Sequence, residues 1–197
     1  MRVAVLALQG GWAAHGTALA QFGVKVAEAR TVADLKKVDG LVLPGGESTT
    51  MLKLMEVNGL AGRLRELAVG GCPMLATCAG VILLAREVRN PAQASLGVLD
   101  AVVERNSYGR QIDSTVTALT VDAPEELGTT TLEGVFIRAP RVVDTGPAVR
   151  VVARRDGDPV LLRQGNLLAA TFHPELSERS PVIELFARMV GGAHGRT

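Results

Sequence analysis

Three short segments in the first 80 residues are apolar at nearly every position rather than at every second one: residues 3–8 (VAVLAL), 41–43 (LVL) and 73–77 (PMLAT). A strand with one wet face alternates. A strand that does not alternate is buried on both faces, and such strands belong to parallel sheets covered by helices. Each segment is stopped by residues that turn the chain sharply: Gly10-Gly11, Pro44-Gly45-Gly46 and Thr77-Cys78-Ala79-Gly80. A fourth strand is expected at residues 24–27. Helical patterns fill the gaps, at residues 13–22 closed by Gly23, 32–37, 50–57 capped by Ser48 or Thr49 and ended by Asn58-Gly59, 60–69, and 79–87. Only 3% of the residues are aromatic, so the core must be built from Val, Leu, Ala and Ile. Strand and helix in alternation predict a parallel sheet with a helical layer on each side.

The second half changes character. Short strands are expected at residues 102–104, 116–121, 135–138, 149–154, 160–163 and 167–172, and Arg155-Asp156-Gly157-Asp158 is a hairpin turn between two of them. The sequence therefore predicts a three-layer α/β/α fold, with a mostly parallel sheet extended by an antiparallel portion. A last helix is expected at residues 181–190 and a loose tail at 191–197. The length of 197 residues suits one domain, residues 1–190, without internal repeats or linkers.

Charge excludes several function classes. Lys and Arg number 21 against 20 Asp and Glu, a net charge of +1, so no basic surplus points to nucleic acid or an anionic membrane. Residues 67–85 carry no charge, but Gly70, Gly71, Pro73 and the Thr77–Gly80 turn break them before they could span a bilayer. The apolar stretch at residues 3–8 is short for a signal peptide. The two cysteines, Cys72 and Cys78, form neither a CxxC pair nor a disulfide framework, and no histidine lies near them in sequence. No metal site is expected, and reduced thiols suit a cytoplasmic protein.

Chemistry is expected where strands end. Cys78 lies at a sharp turn from a buried strand into a helix, among the small residues Ala76, Ala79 and Gly80. Open α/β sheets place their sites at this edge, and the helix N-terminus beside the sulfur favours a thiolate. The turn has the mechanics of a nucleophile elbow with Cys in place of Ser, although a buried structural cysteine would look the same. Cys72 precedes a proline in a Gly-Gly loop and reads as structural. A thiol nucleophile needs a base and an orienting group. Of the three histidines, His194 falls in the tail and His15 opens a helix, where it reads as a surface or capping residue. His173 follows the strand at 167–172, and Pro174 stiffens the link to Glu175, which can accept the second ring N–H. Gly45 and Gly46 let backbone amides approach a substrate and tolerate more than one peptide orientation; with the Ala79 amide they would form an oxyanion site. The spacing is not that of a phosphate-binding loop.

Thr77-Cys78-Ala79-Gly80 and His173-Pro174-Glu175 resemble the Cys-His-Glu triad of class I glutamine amidotransferases, with Ala76 where that family usually has glycine. LALQG (6–10), LPGGESTTM (43–51), ERNSYGRQ (104–111), FIRAP (136–140) and FHPEL (172–176) are similar to the glutaminase subunits of pyridoxal 5'-phosphate synthase, a likeness running from about residue 3 to residue 189. The resemblance implies a flavodoxin-like sheet and hydrolysis of L-glutamine to L-glutamate and ammonia through a Cys78 thioester. His173 would move the proton, Glu175 would orient it, and the amides of Gly46 and Ala79 would hold the oxyanion. It implies a glutamine pocket of Gly46, Glu47, Ser48, Arg105, Ile137 and Arg138, and no cofactor or metal. It further implies a (β/α)₈-barrel synthase partner in a large hetero-oligomer, which receives the ammonia through a tunnel. Gln9, Gly10 and the first helix lie on the expected active edge and are the expected docking residues. An isolated chain would then hydrolyse glutamine poorly. The triad alone also fits another amidotransferase subunit of the class; the fold alone fits a cysteine peptidase, a stress-response protein or a silent binding protein.

Overall fold

The computed structural model describes residues 1–105 and 114–194. The chain begins with strand β1 (Arg2–Leu6), helix α1 (Trp12–Ala20), β2 (Lys25–Ala29) and β3 (Gly40–Leu43). There follow α2 (Ser48–Val57), α3 (Leu60–Val69), β4 (Met74–Thr77), α4 (Ala79–Leu84), β5 (Ala85–Arg89) and β6 (Leu99–Glu104). From residue 114 onward come β7 (Thr115–Val121), α5 (Pro124–Leu127), β8 (Thr131–Phe136), β9 (Arg141–Thr145), β10 (Arg150–Arg155), β11 (Asp158–Gln164), β12 (Leu167–Ala170) and α6 (Pro181–His194). Residues 106–111 of the ERNSYGRQ motif and residues 195–197 of the expected tail lie outside the described residues.

Nine strands form one sheet in the order β2-β1-β3-β4-β12-β11-β10-β7-β8. The first five are parallel and the remaining four pair antiparallel, as the change of pattern along the sequence predicts. The strands split their side chains between two cores. Ala4, Leu6, Leu41, Leu43, Met74, Ala76, Leu167 and Ala169 face one side, with Met51, Leu64 and Val81 from α2, α3 and α4. Val3, Val5, Val42, Leu75, Leu168 and Ala170 face the other, with Leu19 from α1 and Ile183 and Phe186 from α6. Burial on both faces is therefore the physical origin of the unbroken apolar runs.

Several boundaries differ from the expected ones. The helix expected over residues 79–87 ends at Leu84, because the chain turns to pair β5 with β6. A second, three-stranded sheet of β5, β6 and β9 covers one flank. Only its middle strand was expected, at residues 102–104; β9 keeps only Val142 buried, so it carries no usable alternation. The strand expected at 135–138 runs instead from Thr131 to Phe136, leaving Ile137 and Arg138 in a turn. Helix α6 continues through Gly191 and Gly192 to His194 rather than fraying at residue 190. The uncharged residues 67–85 divide among the end of α3, a loop, β4 and α4. Among the described residues, no helix is long and apolar enough to cross a membrane.

Gly80 shows how tightly the layers meet. A Cβ there would fall on the carbonyl oxygen of Leu43, and on rigid backbone rather than a movable side chain. Alanine would gain about 1 kcal/mol of helix propensity over glycine, but overpacking against β3 costs about 3 kcal/mol. Gly80→Ala is therefore expected to lower stability by about 2 kcal/mol net in chemical denaturation. An unchanged midpoint would show that α4 and β3 can separate freely.

Candidate active site

The carboxyl ends of four parallel strands and of β8 meet around a cleft of about 390 Å³. After β1, Gln9, Gly10 and Gly11 line it. After β3 come Gly45, Gly46, Glu47 and Ser48, after β4 Cys78 and Ala79, after β12 His173, and after β8 Ile137 and Arg138. Arg105 also lines the cleft.

Cys78 has φ +48° and ψ −108°, a conformation that side chains avoid unless their surroundings impose it. Its amide donates to the Ala170 carbonyl at 2.9 Å, which ties the turn to β12. The sulfur lies 3.8 Å from the Ile137 carbonyl oxygen. Gly45 is a glycine by necessity: a Cβ there would sit 2.5 Å from Cε1 of His173 and 3.3 Å from Cβ of Cys78.

His173 Nδ1 stands 2.8 Å from Glu175 Oε1 within the single 3₁₀ turn Pro174–Leu176. Because a carboxylate only accepts, Nδ1 carries the proton, which leaves Nε2 as the ring nitrogen free to act as a base. Burial works against a charged imidazole, but Cys78 and Glu175 outweigh it and raise the His173 pKa. Burial also opposes a charged Glu175, yet the His173 hydrogen bond and the two nearby imidazoles hold its pKa below the ordinary value.

The second imidazole is His15. The surface or capping role expected for it is wrong: the ring is fully buried in the face of α1 that also buries Ala18 and Leu19. Its Nε2 lies 3.1 Å from Thr77 Oγ1 and 3.4 Å from Glu175 Oε1. The spacing of positions 15, 18 and 19 carried that signal, since one turn separates them on a helix. Burial lowers the His15 pKa, only partly opposed by the charge of Glu175.

On the loop after β3, Glu47 rather than Ser48 or Thr49 caps α2. Its carboxylate accepts from the amides of Thr49 at 3.2 Å and Thr50 at 2.8 Å. Arg105 reaches Glu47 Oε1 at 3.4 Å and Thr49 Oγ1 at 3.2 Å. The Ser48 hydroxyl donates to Gln93 Oε1 at 3.0 Å, a partner no sequence spacing indicated. Gln9, expected as a docking residue, also acts within the chain: its Oε1 accepts from the Glu47 amide at 2.7 Å, and Gly11 N donates to Gly45 O at 3.3 Å.

Fold and site together define an α/β protein with a cysteine, an imidazole and a carboxylate in line at one sheet edge. A profile of the SNO glutamine amidotransferase family matches residues 5–191, and the chain belongs to that family. Proteins described as pyridoxal 5'-phosphate synthase subunit PdxT are similar along nearly the whole chain. The one from Koribacter versatilis (strain Ellin345) is 48% identical, over 96% of this chain and 96% of its own. The one from Thermotoga maritima is 45% identical, over 96% of this chain and 100% of its own. A crystal structure described as a glutamine amidotransferase superposes with a TM-score of 0.87 at 42% identity, covering 96% of this chain and 98% of the other. The crystal structure of a putative GMP synthase component from Thermoplasma acidophilum, only 16% identical, shares the fold with a TM-score of 0.74, over 100% of this chain and 96% of the other.

Capping hydrogen bonds, larger than the opposing effect of partial burial, depress the Glu47 pKa from 4.5 to about 2. A depressed carboxylate pKa contributes stability above the unfolded value, and that contribution fades as pH falls toward the folded one. Glu47→Ala is expected to cost about 1 kcal/mol at neutral pH, the solvent exposure of Glu47 keeping the loss modest. Thermal melts of the two proteins should converge as pH drops below 4.5 toward 2. A difference independent of pH would remove the carboxylate cap from the account.

Proposed function

We propose that this chain is the glutaminase subunit of a pyridoxal 5'-phosphate synthase. It hydrolyses L-glutamine to L-glutamate and ammonia and passes the ammonia to a (β/α)₈-barrel synthase subunit in a cytoplasmic hetero-oligomer. The observation that carries the chemistry is that the His173 ring, with Glu175 Oε1 at 2.8 Å from Nδ1, also interacts with the Cys78 thiol. The relatives described as synthase subunits support the pathway.

The Cys78 sulfur attacks the side-chain carbonyl carbon of glutamine as thiolate, its proton resting on His173. The amides of Gly46 and Ala79 stabilise the oxyanion. As the C–N bond breaks, His173 gives its proton to the departing ammonia and the acyl group stays on sulfur. A water then loses a proton to His173 and attacks the thioester, releasing glutamate and restoring Cys78. Glu175 keeps the ring in the tautomer that both steps need. A free amino acid carries one cation and one anion. Arg105 and Glu47, side by side in the cleft, match its carboxylate and ammonium. Ser48, Ile137 and Arg138 complete the pocket.

The bonds from Gly11 to Gly45 and from Gln9 to Glu47 latch the loop after β1 onto the oxyanion loop. Docking of the synthase at Gln9 and Gly10 would loosen that latch and free the Gly45-Gly46 peptide to turn.

Ammonia release from glutamine, measured with and without the synthase subunit, tests both points. Cys78→Ala and His173→Ala are each expected to lose activity by about 10³-fold or more. Activity that survives in Cys78→Ala would defeat the thioester mechanism. The free chain should be slower than the mixture; equal rates would defeat the latch.

A further inference from the structure

We propose that His15 is a positioning residue for the triad: its neutral imidazole donates from Nε2 to Thr77 Oγ1 and Glu175 Oε1 and thereby fixes the carboxylate that orients His173. The inference rests on the glutaminase reading above and adds to it a residue outside the Cys-His-Glu set.

The geometry selects the tautomer. Glu175 Oε1 faces two imidazole nitrogens, Nδ1 of His173 at 2.8 Å and Nε2 of His15 at 3.4 Å. An anionic oxygen accepts from both only if both carry protons. The opposite His15 tautomer would aim an imidazole lone pair at carboxylate lone pairs in a site closed to water, where such repulsion is little screened. With Nε2 protonated, the Thr77 hydroxyl and the carboxylate both accept, and the unprotonated Nδ1 is left without a partner among the described residues.

The carboxylate has few other restraints. Oε2 of Glu175 has no partner among the described residues, while Oε1 faces the two imidazoles. Removing His15 would let the carboxylate rotate away from His173 Nδ1. The ring also joins the two arms of the site. Thr77 immediately precedes the nucleophile on β4, whereas Glu175 follows the base after β12, so one buried side chain spans both.

Neutrality is part of the role. The burial that lowers the His15 pKa keeps it uncharged. A second imidazolium would compete with His173 for the single negative charge of Glu175. The charged groups facing His15 are Glu175 and His173, and α1 itself contains no Asp, Glu, Lys or Arg.

The test compares His15→Gln with His15→Asn. Thermal melts first confirm that both fold, and both are then assayed as full chains with the synthase partner. Gln can place an amide N–H where Nε2 stands; Asn reaches only as far as Nδ1. Gln should keep kcat within about threefold, while Asn should lose about tenfold or more with KM nearly unchanged. In parallel, nitrogen NMR of wild-type His15 should show a neutral ring protonated at Nε2 throughout the active pH range. Equal kcat for the two variants, or a His15 that titrates near 6.5 or carries its proton on Nδ1, would overturn the proposal. Failure of the glutaminase reading appears separately, as wild-type ammonia release that Cys78→Ala does not abolish.

Discussion

The backbone turn at Cys78 is the constraint on which the remaining structure depends. A residue at φ +48° persists only when its neighbours hold it there. Here the amide of Cys78 is bonded to β12, Gly80 lies against the carbonyl of Leu43, and Gly45 leaves just enough room for the His173 ring. All three depend on the strands holding their spacing. The nine-stranded sheet, packed on both faces, supplies that rigidity. Strand order then matters chemically. Because β4 is flanked by β3 and β12, Cys78 is flanked by the Gly45-Gly46 loop and by His173, each from a different part of the sequence.

Much of this was legible in the residues. Apolar runs without alternation identified strands buried on both faces, and the small residues ending them marked the edge where Cys78, His173 and Glu175 converge. The resemblance, rather than spacing, brought in Arg105, Ile137 and Arg138; all three line the cleft. What remained hidden depends on tertiary pairing. Strands β5 and β9 exist because β6 lies between them, and neither carries a periodic pattern of its own. The Glu47 cap was hidden because the ordinary capping residues Ser48 and Thr49 follow it directly. His15 was misread although its helix face gave the clue: a polar residue in register with Ala18 and Leu19 belongs to the core and needs a buried partner.

The two cysteines show how far environment decides chemistry. Burial, outweighing the nearby charge of Arg63, raises the Cys72 pKa to about 11, so that thiol stays protonated and inert. Cys78 is the more enclosed of the two, with 7% of its surface exposed against a partly buried Cys72, yet it opens onto the cleft and faces an imidazole that carries a proton. Identical side chains six positions apart therefore meet opposite surroundings.

That contrast gives the most direct measurement. A glutamine analogue with an electrophilic ketone in place of the side-chain amide, incubated with the full chain and its synthase partner, is analysed by peptide mass spectrometry. The account predicts one adduct, on Cys78, absent from Cys72 and largely lost in His173→Ala. Labelling of Cys72, or labelling of Cys78 at the same rate without His173, would contradict it.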